Sequence, residues 1–249
     1  MSKGSKFLRS SQVKPLASEP VGATLLALEA TSTISGVVLV RAGALLGSVR
    51  LRHGLNLSGN LLRATEWLLE RHALALAQVD ALAVNVGPGA FTALKIGAMI
   101  AKTWAHALGK PLVAVNAFEA CAAGMPTQVP TLVALPARRD ALYLQWLLPA
   151  LNAPPTPLCE PAFVVQGELE AWLRAHMPQD SHLQAVGVAH AREWVQSHFN
   201  IRSWQLLESP PPEGVASVGW LRYQQREFVH PFSLTPLYIQ PPAIHLKQG

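Results

Sequence analysis

The segment NVGPGAFTALKIG, residues 85–97, joins a buried strand to a helix through a glycine-rich turn. The run from Val79 to Val86 is short and almost continuously apolar, as in a strand covered on both faces. From Ala90 to Leu108 apolar residues recur at helical spacing, and Gly109 with the Lys-Pro pair after it is a helix stop signal. This strand–turn–helix unit predicts an α/β protein.

The residues before this unit predict three consecutive strands and a helix. β-forming residues run from Thr24 to Leu28, from Gly36 to Val40 and from Leu45 to Leu51. Leu57–Arg71 has the apolar spacing of an amphipathic helix, and we expect Ser58 to cap it. Three consecutive strands followed by a helix resemble the opening of actin-like ATPases.

The residues after the unit predict a second lobe. A strand and a short helix are expected at 111–116 and 118–123, and Pro126 and Pro130 mark the crossing. Further strands are expected at 131–135, 142–148 and 184–188, and helices at 167–176 and 190–199. The proline-rich stretches at 149–161 and from residue 232 onward predict irregular structure. We therefore divide the chain into a tail (1–21), an N-terminal lobe (22–125) and a smaller C-terminal lobe (126–249).

Composition favours a folded cytoplasmic protein. The 249 residues are 50% apolar and only 14% charged, and the net charge is +5. Residues 1–20 hold four basic side chains and one acidic side chain, so most of that charge lies in the tail and the body is nearly neutral. The apolar run from Val21 to Val40 is broken by Glu29 and hydroxyl residues, which argues against a membrane span. Two cysteines, Cys121 and Cys159, are too few for a secreted disulfide framework.

The glycine-rich turn is a candidate anion site. Backbone N–H groups at the start of a helix can bind an anion. We identify Thr31, Ser32, Gly87 and Gly89 as candidate contacts to a nucleotide or anion. The spacing matches neither the phosphate-binding loop nor the dinucleotide pattern, so on geometry alone the glycines are better explained as permitting a tight turn.

Several segments carry a family resemblance, in the proper order along the chain. The stretch 87–97 is similar to the Gly-Pro-Gly-Ser-Phe-Thr-Gly-Leu-Arg-Ile-Gly signature of the TsaB (YeaZ) family, with Ala90, Ala93 and Lys95 as its departures. The further similar segments are 26–33, 78–84, 137–143 and 236–240. The resemblance covers nearly everything after about residue 22.

The resemblance implies a two-lobed actin-like (ASKHA, ribonuclease H-like) α/β fold, in which each lobe is a mixed sheet flanked by helices. It also implies a non-catalytic subunit that forms a heterodimer with TsaD. With the ATPase TsaE, the pair would support transfer of a threonylcarbamoyl group to the adenosine beside the anticodon of ANN-decoding tRNAs. The tRNA would be engaged indirectly, no cofactor would be required, ATP or ADP could lie at the subunit junction, and a homodimer could form in isolation.

Catalytic groups are missing from the positions that the resemblance identifies. TsaD-like proteins carry a metal-binding His-x-x-x-His pair where this chain has Ala117 and Cys121. Actin-like kinases place an aspartate at the position of Glu29, whose longer side chain would displace a magnesium ion. The nine histidines show no pair at helical spacing that favours a metal site. We therefore predict no catalytic residues and no metal.

Two helices form the predicted partner surface. The family resemblance implies that helices at 57–71 and 90–108 bind TsaD as a helical bundle. The candidate interface residues are Leu61, Leu62, Thr65, Leu69, Ala93, Gly97, Ala101 and Ala105. The last four form a smooth stripe that suits docking of a partner helix and equally suits tight packing on the chain's own sheet. Two other functions remain as alternatives: an actin-like small-molecule kinase and a direct tRNA-binding module.

Overall fold

The computed structural model describes residues 22–239, apart from residues 53, 55, 139, 180, 181 and 202. The predicted tail (1–21) and the last ten residues of the predicted C-terminal lobe lie outside the described residues. The described residues form two mixed sheets with helices on their faces, which confirms the predicted fold class. None of the described helices combines the length and apolar character needed to cross a bilayer.

The first sheet has the strand order β3-β2-β1-β4-β5. Its antiparallel strands are β1 (Thr24–Glu29), β2 (Ile34–Arg41) and β3 (Ala44–Arg52), and β4 (Ala81–Asn85) and β5 (Leu112–Val115) continue it in parallel with β1. Alternate residues of β1 enter different cores, with Leu26 and Leu28 on one face and Leu25 and Ala27 on the other. Because both faces are covered, the strand is apolar throughout.

The second sheet repeats this plan. β6 (Thr131–Pro136) pairs in antiparallel with β7 (Ala141–Leu148), and β10 (Gln184–Gly187) and β11 (Ser203–Leu206) extend it in parallel. Two short strands, β8 (Thr156–Pro157) and β9 (Ala162–Val165), pair with β7.

The helices form three layers around the sheets. α1 (Leu57–Arg71) and α2 (Phe91–Leu108) cover the outer face of the first sheet. α4 (Leu169–His176) and α5 (Ala189–Gln196) cover the outer face of the second sheet. α3 (Ala117–Ala122) and α6 (Pro212–Gln225) lie between the two sheets.

Helix ends follow local capping chemistry. Asn56 caps α1 by accepting a hydrogen bond from the Gly59 N–H at 3.3 Å, so the expected cap at Ser58 is wrong by two residues. Gly109 ends α2 in the left-handed conformation, as the sequence predicted.

α6 lies in the range that we assigned to the C-terminal lobe, but it packs on the inner face of the first sheet. Val215 and Val218 join Leu25 and Val113 in one core cluster. Residues 234–237 also return to the first lobe, where Leu234 is buried among residues of its core. The first sheet is therefore completed by residues from the end of the chain.

Candidate partner surface and interlobe cleft

A cleft of about 270 Å³ separates the two lobes. The first lobe contributes residues 31–33 and 88–90, and the second contributes residues 135–137, Tyr143 and residues 208–210. Three of the four predicted anion contacts, Thr31, Ser32 and Gly89, line this cleft, whereas Gly87 does not. The structure thus brings the first hairpin and the glycine-rich turn together at one cleft.

The glycine-rich turn uses two of its N–H groups inside the protein. The Gly87 N–H donates to Oδ1 of Asn85 at 2.9 Å, and the Ala90 N–H donates to the Thr31 carbonyl at 2.7 Å. Gly89 must be glycine here, because a Cβ would lie 2.3 Å from the same carbonyl oxygen. The Ala90 N–H at the start of α2 is therefore already bonded to the first hairpin and is not free to bind an anion.

Glu29 lies fully buried among hydrogen-bond donors. Its Oε1 accepts from the Thr31 N–H at 2.6 Å and from the Thr31 hydroxyl at 2.5 Å, and its Oε2 accepts from Nδ2 of Asn85. Burial raises the pKa of Glu29 from 4.5 to about 7, although these hydrogen bonds act in the opposite direction. A carboxylate held in this way does not line the cleft. Among the residues described, no three or more His, Cys, Asp or Glu side chains form a group that could hold a metal ion.

Helix α3 carries Ala117 and Cys121, the two positions where the family resemblance implies histidines in TsaD-like proteins. Ala117 and Cys121 are both buried in the core between the lobes. Burial, together with the negative charge of Glu29, raises the pKa of the Cys121 thiol well above its usual range. The thiol is therefore protonated at neutral pH and is a weak nucleophile.

Seven of the eight predicted interface residues are buried within the chain. Leu61, Thr65 and Leu69 on α1 and all four residues of the α2 stripe are buried, and only Leu62 is exposed. Gly97 shows why the stripe consists of small residues, since a Cβ there would lie 2.8 Å from the Cβ of Ala30, the residue directly after β1. The four small residues of the α2 stripe therefore pack inside the chain. A partner would have to contact other residues of α1 and α2.

An open groove of about 340 Å³ lies between the two helices, and we call it the α1–α2 groove. Leu62 is 45% exposed at its edge, and half-buried Trp104 lies on the α2 side. Exposed Glu66 and Glu70 also line it. Met99 on α2 is 64% exposed. Three of the four residues predicted on α1, Leu62, Thr65 and Leu69, line this groove, whereas the four predicted on α2 are buried.

Sequence reasoning missed one buried ion pair, between α6 and α3. Arg222 of α6 donates to Glu119 of α3 at 2.6 and 2.9 Å and to the Ala114 carbonyl at 2.7 Å. The Glu119 side chain is only 4% exposed. A charged residue among the small apolar residues of 212–225 was the available signal for this contact.

Comparisons with known proteins connect the chain to tRNA modification. Residues 54–148 match the family model of TsaD, tRNA N6-adenosine threonylcarbamoyltransferase. Proteins of Mycobacterium tuberculosis and Mycobacterium bovis, both described as uncharacterized, are 33% identical over 151 residues, covering 57% of this chain and 69% of each relative. The tRNA N6-adenosine threonylcarbamoyltransferase of Moorella thermoacetica is 38% identical over 76 residues, which are 30% of this chain and 21% of that enzyme.

Solved structures share the fold over most of the chain. YeaZ from Pseudomonas aeruginosa superposes with a TM-score of 0.74 at 24% identity, covering 87% of this chain and 99% of YeaZ. A second structure from that organism, of an uncharacterized protein similar to peptidase YeaZ, gives a TM-score of 0.76 at 23% identity, covering 88% and 100%. At this level of identity the likeness is one of fold.

Proposed function

We propose that this chain is a member of the TsaB (YeaZ) family and that it is a non-catalytic subunit that binds and activates TsaD. In this role it supports formation of the threonylcarbamoyl group on N6 of the adenosine beside the anticodon of ANN-decoding tRNAs. The observation that carries the proposal is the exposed apolar surface on α1 and α2, within the residues that match the TsaD family model.

The α1–α2 groove has the chemistry of a helix-docking site. Leu62 lines the groove, Met99 lies outside its lining on the exposed face of α2, and both are large apolar side chains that water contacts in the isolated chain. Because each is already partly buried, covering the rest of it would contribute about 1–2 kcal/mol before the cost of association is subtracted. Glu66 and Glu70 give the groove a polar rim, which favours a specific partner over non-specific aggregation.

A non-catalytic role agrees with the state of the chain's own reactive groups. Ala117 and Cys121 replace the metal-binding histidines of TsaD-like proteins. Glu29 is held below the cleft by Thr31 and Asn85. Both features also disfavour a small-molecule kinase, which must position a metal-bound nucleotide in that cleft.

The assembly follows from the same proposal. TsaD would form a heterodimer with this chain in the cytoplasm, and TsaE would join the pair in a larger complex. No cofactor is needed by this chain itself, while ATP or ADP could lie at the junction of the subunits. Without TsaD, the α1–α2 groove could be covered by a second copy of the chain.

Met99→Glu tests the proposal directly. A carboxylate at this exposed position should leave the fold intact and weaken TsaD binding by at least about tenfold, because the charge would be desolvated at an apolar contact. Isothermal titration of TsaD with the purified chain measures the effect. Leu206→Glu is the matched control, since Leu206 is an exposed apolar residue of the second lobe. Unchanged affinity for Met99→Glu, or an equal loss for the control, would contradict a docking role for α1 and α2.

A further inference from the structure

A second groove lies beside α1, on the side that faces strand β3. It has a volume of about 330 Å³ and shares no lining residue with the α1–α2 groove. Val49, Leu51 and Ala64 form its apolar part, and Asn60, Arg52 and Arg63 form its polar part. Trp67 completes the lining, and we call this site the β3–α1 groove. TsaD docked on the α1–α2 groove would contact different residues.

Trp67 gives the β3–α1 groove an accessible aromatic surface. Its side chain is 50% exposed, although large aromatic residues usually gain most by burial. The Arg71 guanidinium lies 5.4 Å from the centroid of the Trp67 ring. An exposed indole beside a guanidinium is a surface on which a nucleobase can stack.

Three arginines surround this aromatic surface. Arg52 and Arg63 line the groove itself, and Arg71 adjoins Trp67. Arg52 also pairs with Glu208 at 2.7 Å, but the two side chains are 66% and 74% exposed, so this bridge is weak and readily exchanged for another anion. The nearby carboxylates on α1 belong to Glu66 and Glu70, which line the other groove. The β3–α1 groove is therefore positively charged on its own side of the helix.

We propose that the β3–α1 groove binds a single-stranded segment of the tRNA, with one base stacked on Trp67 and the adjacent phosphates on Arg63 and Arg52. This inference rests on the proposed function, since it takes the tRNA of that reaction as the ligand. A nucleotide combines a flat π system with an adjoining anion, and the groove presents an indole and guanidinium groups to match. A neutral or basic protein segment would leave the arginines without a complementary charge.

The test measures binding of a labelled RNA hairpin to the full chain, alone and in complex with TsaD, by fluorescence anisotropy. Trp67→Ala should weaken binding by roughly 5- to 150-fold, the loss expected when one stacked base is removed. Arg63→Ala should reduce the slope of log affinity against log salt by about 0.7, the value for one phosphate contact on a single strand. A blunt duplex RNA of equal length should bind more weakly than the hairpin, and its affinity should not respond to Trp67→Ala.

Two matched variants control for general effects. Phe232→Ala removes an aromatic side chain that is 67% exposed, and Arg192→Ala removes an exposed arginine of the second lobe. Neither should change hairpin binding. Hairpin affinity unaltered by Trp67→Ala, or lost equally with the controls, would overturn the inference.

The outcomes also separate this inference from the proposed function. If Met99→Glu abolishes TsaD binding while Trp67→Ala leaves RNA binding intact, the partner role stands and the RNA site does not. If Trp67→Ala instead weakens binding of TsaD, the groove is a protein contact and the RNA inference is refuted.

Discussion

Glu29 has an electrostatic cost that depends on pH. Its pKa of about 7 in the folded chain lies above the ordinary value of 4.5, so the folded state binds the proton more tightly than the unfolded state. The free energy of unfolding should therefore fall as pH rises between these two values, by about 3 kcal/mol in total, and stay flat above them. At low pH the buried Glu29 side chain is protonated and carries no charge. The free energy of unfolding falls once this buried carboxyl group is charged.

Glu29→Gln isolates this contribution, because glutamine keeps the shape of the side chain without the titration. Relative to the natural chain, the variant should gain about 3 kcal/mol of stability between about pH 5 and about pH 8, whatever its offset at low pH. Urea unfolding at a series of pH values measures the difference. Glu66→Gln, at an exposed position of α1, should show no comparable trend. A difference for Glu29→Gln that does not change with pH would show that Glu29 is charged throughout.

The α2 helix presents two faces that respond differently to a charge. Ala101 is fully buried, so Ala101→Glu should lower the melting temperature sharply or prevent folding, since burying an unpaired carboxylate costs several kcal/mol. Met99→Glu, two residues away on the exposed face, should change stability by less than about 0.5 kcal/mol. Thermal unfolding followed by circular dichroism compares them. Normal melting of Ala101→Glu would mean that the small-residue stripe is accessible after all.

Sequence periodicity predicted most elements because their apolar patterns are strong. The bounds of α1 agree at both ends, and α2 begins one residue later than expected. Periodicity shows which residues share a face but not which neighbour covers that face, so the α2 stripe could not be assigned to a core or to a partner. The sequence predicted that the first hairpin and the glycine-rich turn contribute to the cleft. It did not predict that Tyr143 and Glu208 line the same cleft, because both are distant from those segments along the chain.

α6 escaped prediction for a different physical reason. Its buried residues include Gly214, Val215, Ala216, Val218 and Gly219, which are small and nearly contiguous, so they give no contrast between an apolar and a polar face. Small residues suit a helix packed closely in the layer between the lobes: a Cβ on Gly214 would lie 2.0 Å from the Ala120 carbonyl oxygen. Such packing arises from the tertiary fold and has no local signature.

The first lobe depends on residues 212–225, which form α6 in the layer between the two sheets. The Arg222–Glu119 ion pair links α6 to α3. α6 in turn covers the inner face of the first sheet. Removing one partner of a buried pair leaves the other charge without compensation. Damage to this contact should therefore destabilise the whole molecule rather than its C-terminal end alone.

Arg222→Ala should lower the free energy of unfolding by about 3–5 kcal/mol, because Glu119 would remain buried and unpaired. Urea unfolding of this variant, of Glu119→Ala and of the double variant forms a complete cycle, in which the double variant should lose clearly less than the two single losses combined. Arg174→Ala, which breaks an exposed pair with Glu170 on α4, should cost far less. Single losses that simply add would mean that the two side chains act independently, and that packing of the small residues alone holds α6 against the first sheet.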